Sequence, residues 1–313
     1  MKISVQTMGT TEIIGIDAGY AAIKAAGFDA VDFGLDGFHK WDDLTNGKKC
    51  EFFENGGIND FVAQHKAAAE KYGIEFGQMH APFPLFIPRK PEGTKIVQND
   101  VAKCIEFMSE LGCHRIVIHP LFDGSARFPS LTKEEERKLN MDYYTSIIPL
   151  LKKHDAVCCL ENMWMQDWKS KKIYTACCSD INETISYIDE LNAIAGERRF
   201  GFCLDIGHLL LVGQDPCTWI EKLGDRLETL HVHDNDGVGD NHIAPYLGCC
   251  NWDRVILGLR KIGYKGNFSF EASNFNRKFP PELVPSALNM LGDLGRYFVG
   301  RITAEKDETD GNK

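Results

Sequence analysis

Short apolar runs alternate with segments of helical periodicity along nearly the whole chain. The runs fall at residues 2–7, 29–34, 74–79, 115–119, 156–161, 200–205, 228–233 and 267–271. Each has strand length and is rich in Val, Ile, Phe or Cys. Several are apolar at successive positions, the pattern of strands buried on both faces. Between them, residues 58–72 place Ile58, Phe61, Val62, His65 and Tyr72 on one stripe at 3.6-residue spacing. Residues 94–111 repeat this with Val97, Val101, Ile105, Met108 and Leu111. Thr132 and Glu135 have capping-box spacing at the start of a helix over 132–154, and Asp180 and Glu183 repeat that signal. Gly73, Gly112, Gly196, Gly224 and Gly263 stand where helices should stop. A last helix is predicted over 281–299.

Eight strand–helix units in this order predict parallel strands joined by crossovers, closing as a (β/α)8 TIM barrel of α/β class. An open doubly wound sheet would carry a Gly-rich turn after its first strand, and Met8-Gly9-Thr10-Thr11 is not the dinucleotide fingerprint. No repeat or Pro/Gly-rich linker divides the chain, so one domain is expected over 1–301, followed by a polar tail at 302–313. Two longer loops stand out. Residues 36–57 follow the second strand, and 162–179 follow the fifth and carry Trp164, Trp168 and Lys169-Ser170-Lys171-Lys172.

Composition narrows the function. The 313 residues include 35 Lys+Arg against 45 Asp+Glu, a formal charge of -10. Such a chain is a poor general polyanion binder, which argues against nucleic acid as partner. No stretch approaches the ~20 apolar residues of a membrane helix. The 11 Cys are scattered, without zinc-ribbon spacing or disulfide-scaffold density. They read as buried small apolar residues in a reducing cytoplasm.

In a TIM barrel the active site is built at the C-terminal ends of the strands. The predicted ends carry His80, His119, Glu161, Asp205 with His208, His231 with His233, and Glu271; Asp240 and His242 follow strand seven. Six of the 10 His thus lie at strand ends or just beyond. Glu161, Asp205, His231 and Glu271 come from four successive strands and would converge at the barrel mouth. Three carboxylates and an imidazole suit a hard or borderline divalent cation; without one, clustered carboxylates would repel and at least one would hold a proton. His231 and His233, two apart, could both face inward, and pattern alone does not choose between them.

These segments resemble a known family. His80-Ala81-Pro82, Ile118-His119-Pro120, Leu160-Glu161-Asn162, Leu204-Asp205-Ile206-Gly207-His208, His231-Val232-His233-Asp234 and Phe270-Glu271-Ala272, with Trp252 and Gly263-Tyr264-Lys265-Gly266, are similar to xylose isomerase-like TIM barrels. That superfamily contains sugar phosphate isomerases/epimerases and the endonuclease IV group (AP endonuclease family 2). The resemblance spans about residues 2–299. Its epimerase branch implies one divalent metal, Mn²⁺ first and Mg²⁺, Co²⁺ or Zn²⁺ as alternatives, on Glu161, Asp205, His231 and Glu271. It also implies the two glutamates as acid/base pair and His208 touching substrate. Its endonuclease branch implies three zinc ions on His80, His119, Glu161, Asp205, His208, His231, Asp240, His242 and Glu271. The candidate site loops offer few cations for a phosphate backbone: Arg89, Lys90, Arg127, the 169–172 run, Arg277 and Lys278. The chain also departs from the ketose 3-epimerase pattern, which has an Arg shortly after the strand-seven His; here the stretch reads Asp234-Asn235-Asp236-Gly237-Val238.

The expected activity is therefore metal-dependent isomerisation or epimerisation of a sugar or sugar phosphate, with proton transfer through a metal-bound enediolate. The alternatives are a zinc-dependent abasic-site endonuclease and a lyase or dehydratase acting on a keto-sugar or polyol derivative. His80, His119, His208, His233, Asp240 and His242 are candidates for further metal or substrate contacts. Phe38, Trp164, Trp168 and Trp252 are candidates for an apolar wall against the sugar. A carbohydrate is the expected partner, and the barrel exterior leaves a homodimer or homotetramer open.

Overall fold

The computed structural model describes residues 1–125 and 129–304. Eight strands form the barrel: β1 (Ile3–Gln6), β2 (Ala30–Gly34), β3 (Glu75–His80), β4 (Arg115–Val117), β5 (Val157–Glu161), β6 (Phe200–Asp205), β7 (Leu227–His231) and β8 (Phe268–Phe270). All neighbouring strands pair in parallel, from β8 through β1 and on to β7. The seam between β7 and β8 closes at Val232, whose N–H donates to the Ser269 carbonyl (2.8 Å) and whose carbonyl accepts from Glu271 N–H (3.0 Å). The eight strands and the single domain follow the apolar runs, with shorter ends. β4 stops at Val117 and β8 at Phe270, so His119 and Glu271 lie just beyond their strands.

A helix follows each strand: α1 (Ile16–Ala25), α2 (Gly57–Tyr72), α3 (Pro91–Glu106), α4 (Lys133–Lys153), α5 (Ile181–Ala195), α6 (Pro216–Leu223), α7 (Trp252–Ile262) and α8 (Val284–Thr303). The Thr132–Glu135 capping box forms on α4, and Asp180 caps α5 by accepting from Asn182 and Glu183 N–H. Gly73, Gly112, Gly196 and Gly263 each end a helix in the left-handed region, where glycine carries no Cβ penalty. The predicted 94–111 helix is two pieces, α3 and a short Met108–Leu111 turn. The helix expected over 281–299 is α8, which reaches Thr303 and buries Ile302. The rest of the polar tail, 305–313, and Arg127 lie outside the described residues.

The barrel strands are almost entirely buried, and one continuous apolar core joins them to the helices. The long loop after β5 contains an antiparallel hairpin, Trp164–Gln166 with Ile173–Thr175. The loop after β2 carries two short helices, Trp41–Thr45 and Glu51–Glu54.

Candidate active site

The strand-end residues converge. One ligand atom from each of Glu161, Asp205, His231 and Glu271 lies within 4.8 Å of the others, and all four residues are buried. His231 Nδ1 is the focus: Glu161 Oε1 stands 3.1 Å away, Glu271 Oε2 3.2 Å and Asp205 Oδ2 3.9 Å. Among the described residues, no Lys or Arg forms an ion pair with these carboxylates. Three buried carboxylates and one imidazole form a donor set that fits a divalent cation.

Two further donor sets flank this one. His80, His119 and Glu161 form the first, with His119 Nε2 3.0 Å from Glu161 Oε2. His208, His233, Asp240 and His242 form the second. His208 Nε2 lies 3.4 Å and His242 Nε2 3.0 Å from Asp240 Oδ2. His233 belongs here. Its ring stacks on His242, and its Nε2 lies 3.1 Å from Asp205 Oδ2. Gly207 makes room for it, since a Cβ there would meet the His233 ring at 2.0 Å. Two residues apart, both histidines face inward, His231 within the four-donor cluster and His233 within the His208–Asp240–His242 set.

Local structure fixes these side chains. The Asp205 carboxylate accepts the His208 N–H as the cap of the short helix Ile206–Leu211. His208 Nδ1 bonds the Asn162 carbonyl (2.8 Å), and Asn162 exchanges two bonds with the Asp205 backbone. Asp234 anchors the loop that brings Asp240 and His242. It accepts from Asn235, Tyr246 and Cys250 N–H and from Trp252 Nε1.

The electrostatics are uneven. Burial lifts the Glu271 carboxyl above its usual range. Burial also works to raise Glu161, but His231 and His119 outweigh it and hold Glu161 well below. Burial opposes charge on the imidazoles, yet Glu161 and Asp36 raise His80 to about 9, and Glu271 and Asp240 raise His242 to about 10. Cys203, Glu271 and Glu161 raise His231, Asp205 and Asp240 raise His208, and burial lowers His119.

These sets open into a cavity of about 950 Å³. Glu161, Glu271, His80, His119, His208, Asp240 and His242 line it, and Asp205, His231 and His233 lie behind its wall. The expected aromatic wall needs correction: of its four members only Trp164 reaches the cavity. Trp252 is 2% exposed, packed against Phe298 and tied to Asp234. Phe38 stacks on Phe52 within the loop after β2. Trp168 is 79% exposed on the hairpin turn. Trp41, Phe83, Phe86 and Phe122 supply the wall instead. Sequence reasoning also passed over Gln6, whose amide donates to Glu271 Oε1 (3.3 Å), and Asp32, beside His231. The signal for both was a polar residue in the C-terminal half of a predicted strand.

The described residues include no helix long and apolar enough to cross a membrane. All 11 cysteines are free, and eight are buried.

The family model described as xylose isomerase-like TIM barrel matches residues 20–294. The chain belongs to this family. Among solved structures, the IOLI protein with a binding zinc atom superposes at a TM-score of 0.70, with 16% identity, over 97% of this chain and 100% of that one. The apo 3-keto-D-glucoside 4-epimerase YcjR from E. coli gives a TM-score of 0.68 and 17% identity, over 93% and 98%. A curated relative, "Uncharacterized protein y4fM" of Sinorhizobium fredii, is 35% identical over 71 residues, 23% of each chain. This chain therefore spans under a quarter of that relative.

Proposed function

We propose that the protein is a cytoplasmic, divalent-metal-dependent isomerase or epimerase of a sugar or sugar phosphate. One observation carries this reading. Of the four clustered donors, Asp205 and His231 sit behind the cavity wall, while Glu161 and Glu271 both reach the cavity. The same two carboxylates can thus hold a cation and meet a substrate carbon. The sugar-epimerase fold relative and the zinc-bearing IOLI protein support the reading.

A divalent cation on Glu161, Asp205, His231 and Glu271, Mn²⁺ by preference, supplies Lewis-acid polarisation of a substrate carbonyl and its neighbouring hydroxyl. The chain's own groups do the rest. Glu271, whose carboxyl reaches the cavity, takes the proton from the hydroxyl-bearing carbon next to that carbonyl. Gln6 holds Glu271 Oε1 while Oε2 faces His231 Nδ1, so the two oxygens have separate duties. Glu161 completes the acid/base pair. The imidazoles of His80 and His208 donate to sugar oxygens, and Trp41, Phe83 and Trp164 exclude water from the apolar face. The direct assay is interconversion of a ketose and aldose panel, free and phosphorylated, by Mn²⁺-loaded protein followed by NMR. Conversion of at least one member, with about 10²–10⁴-fold loss in Glu271→Gln, is expected; no conversion across the panel overturns the reading.

The two flanking donor sets favour a second reading, a zinc-dependent endonuclease acting at abasic sites. Against it, Arg89 and Arg277 are the only Lys or Arg among the described residues lining the cavity, and Arg277 is tied to Glu12. A nuclease needs several cations aimed at phosphates. Metal content per chain, measured on protein purified without added metal or chelator, separates the two. About one Mn, Mg or Co is expected, and two to three Zn would favour the nuclease.

A further inference from the structure

Asp32 on β2 is a fully buried carboxylate deep in the barrel, and the proposed chemistry gives it no task. Among the described residues no Lys or Arg pairs with it. Its Oδ2 accepts from Gln78 Nε2 on β3 at 2.9 Å, and its Oδ1 has no partner. An ionised carboxylate is costly to bury unless it is paired or bonded. His231 faces it from β7: its Nε2 stands 3.2 Å from Asp32 Oδ2. The opposite ring nitrogen, Nδ1, is the one facing Glu161, Asp205 and Glu271.

A neutral imidazole carries one N–H. With the proton on Nδ1, the Nε2 lone pair would point at the Asp32 carboxylate while the N–H pointed into the donor set. With the proton on Nε2, the N–H meets Asp32, and the Nδ1 lone pair is free for a cation. With a cation at Nδ1, only the second arrangement satisfies both sides of the ring. We propose that Asp32 is the positioning residue for His231: it selects the Nε2–H form, aims Nδ1 into the Glu161–Asp205–Glu271 cluster and thereby sets the cation affinity of the site. Gln78, which also reaches the Leu230 carbonyl at 3.4 Å, fixes the carboxylate from β3. The inference rests on reading the four-donor set as a cation site, and it extends that reading to two residues on other strands.

The test is binding of Zn²⁺ or Mn²⁺, each alone, to metal-free full-length protein, by competition with a chromophoric chelator. Asp32→Leu is expected to weaken binding about 10–100-fold, the usual cost of losing such an outer partner. The melting temperature of the metal-free variant confirms that the barrel is intact. Asp32→Asn keeps an acceptor oxygen where Gln78 Nε2 and His231 Nε2 meet, and it is expected to restore most of the affinity. Should Asp32→Leu fail to fold, Gln78→Met leaves the carboxylate unanchored and should shift the affinity the same way by less. Wild-type affinity in a folded Asp32→Leu, or in Gln78→Met where that variant carries the test, overturns this proposal and leaves the sugar reading standing. A wild type that binds neither ion overturns the cation site, and this proposal with it.

Discussion

At the residue scale, the site balances carboxylates against imidazoles. Glu161, Asp205, Asp240 and Glu271 would repel one another, and His80, His208, His231 and His242 hold protons to offset them. His80 is raised to about 9 and His242 to about 10, so both are protonated near neutrality when no cation is bound. A cation must displace such protons, because only a neutral imidazole can ligate. His231 is the imidazole in the four-donor set and is held well above its ordinary value, so cation affinity should rise with pH through neutrality and fall in acid. Calorimetry in buffers of different ionisation enthalpy should show proton release at pH 7.5. Binding without proton release would contradict this charge balance. Much of this chemistry is legible in the sequence because Glu161, Asp205 and the histidines punctuate apolar runs. Asp32 and Gln6 are not, since an inward-facing polar residue within a strand has the same spacing as an outward-facing one.

At the scale of elements, strand ends place the first donor set, and one loop places part of the second. Asp234 is completely buried, and four donors converge on it: three backbone N–H groups and the Trp252 indole. Gly248 permits this approach, as a Cβ there would stand 2.3 Å from Asp234 Oδ1. Asp234→Ala leaves those donors without an acceptor and should cost about 3 kcal/mol or more, read as a lower urea midpoint. It should also loosen the segment carrying Asp240 and His242. A loss below ~0.5 kcal/mol would show that the loop has another anchor. Trp252 illustrates what sequence conceals here. A tryptophan after a strand suits a ligand wall or a core strut equally, and only the 3.0 Å bond to Asp234 decides for the strut. The true wall comes from Trp41 and the Phe83–Phe86 stretch, in loops without periodicity to announce them.

At the scale of the molecule, eight parallel strands and the loops beyond them gather six histidines and four carboxylates at or just behind the wall of one cavity, in a chain of charge -10. The barrel is readable from its apolar runs because strands buried on both faces leave a strong period. The cavity's shape is not, since it depends on how the loops after β2, β3 and β5 pack over the mouth. In the function we propose, Glu161 and Glu271 move a proton at a sugar carbon. The most direct measurement is deuterium uptake from D₂O by the ketose panel in the presence of Mn²⁺-loaded protein, followed by ¹H NMR. Exchange of one C–H next to the carbonyl of a preferred ketose is expected, abolished in Glu271→Gln. No exchange in any ketose, together with cleavage of an abasic-site oligonucleotide by the zinc-loaded protein, would contradict it.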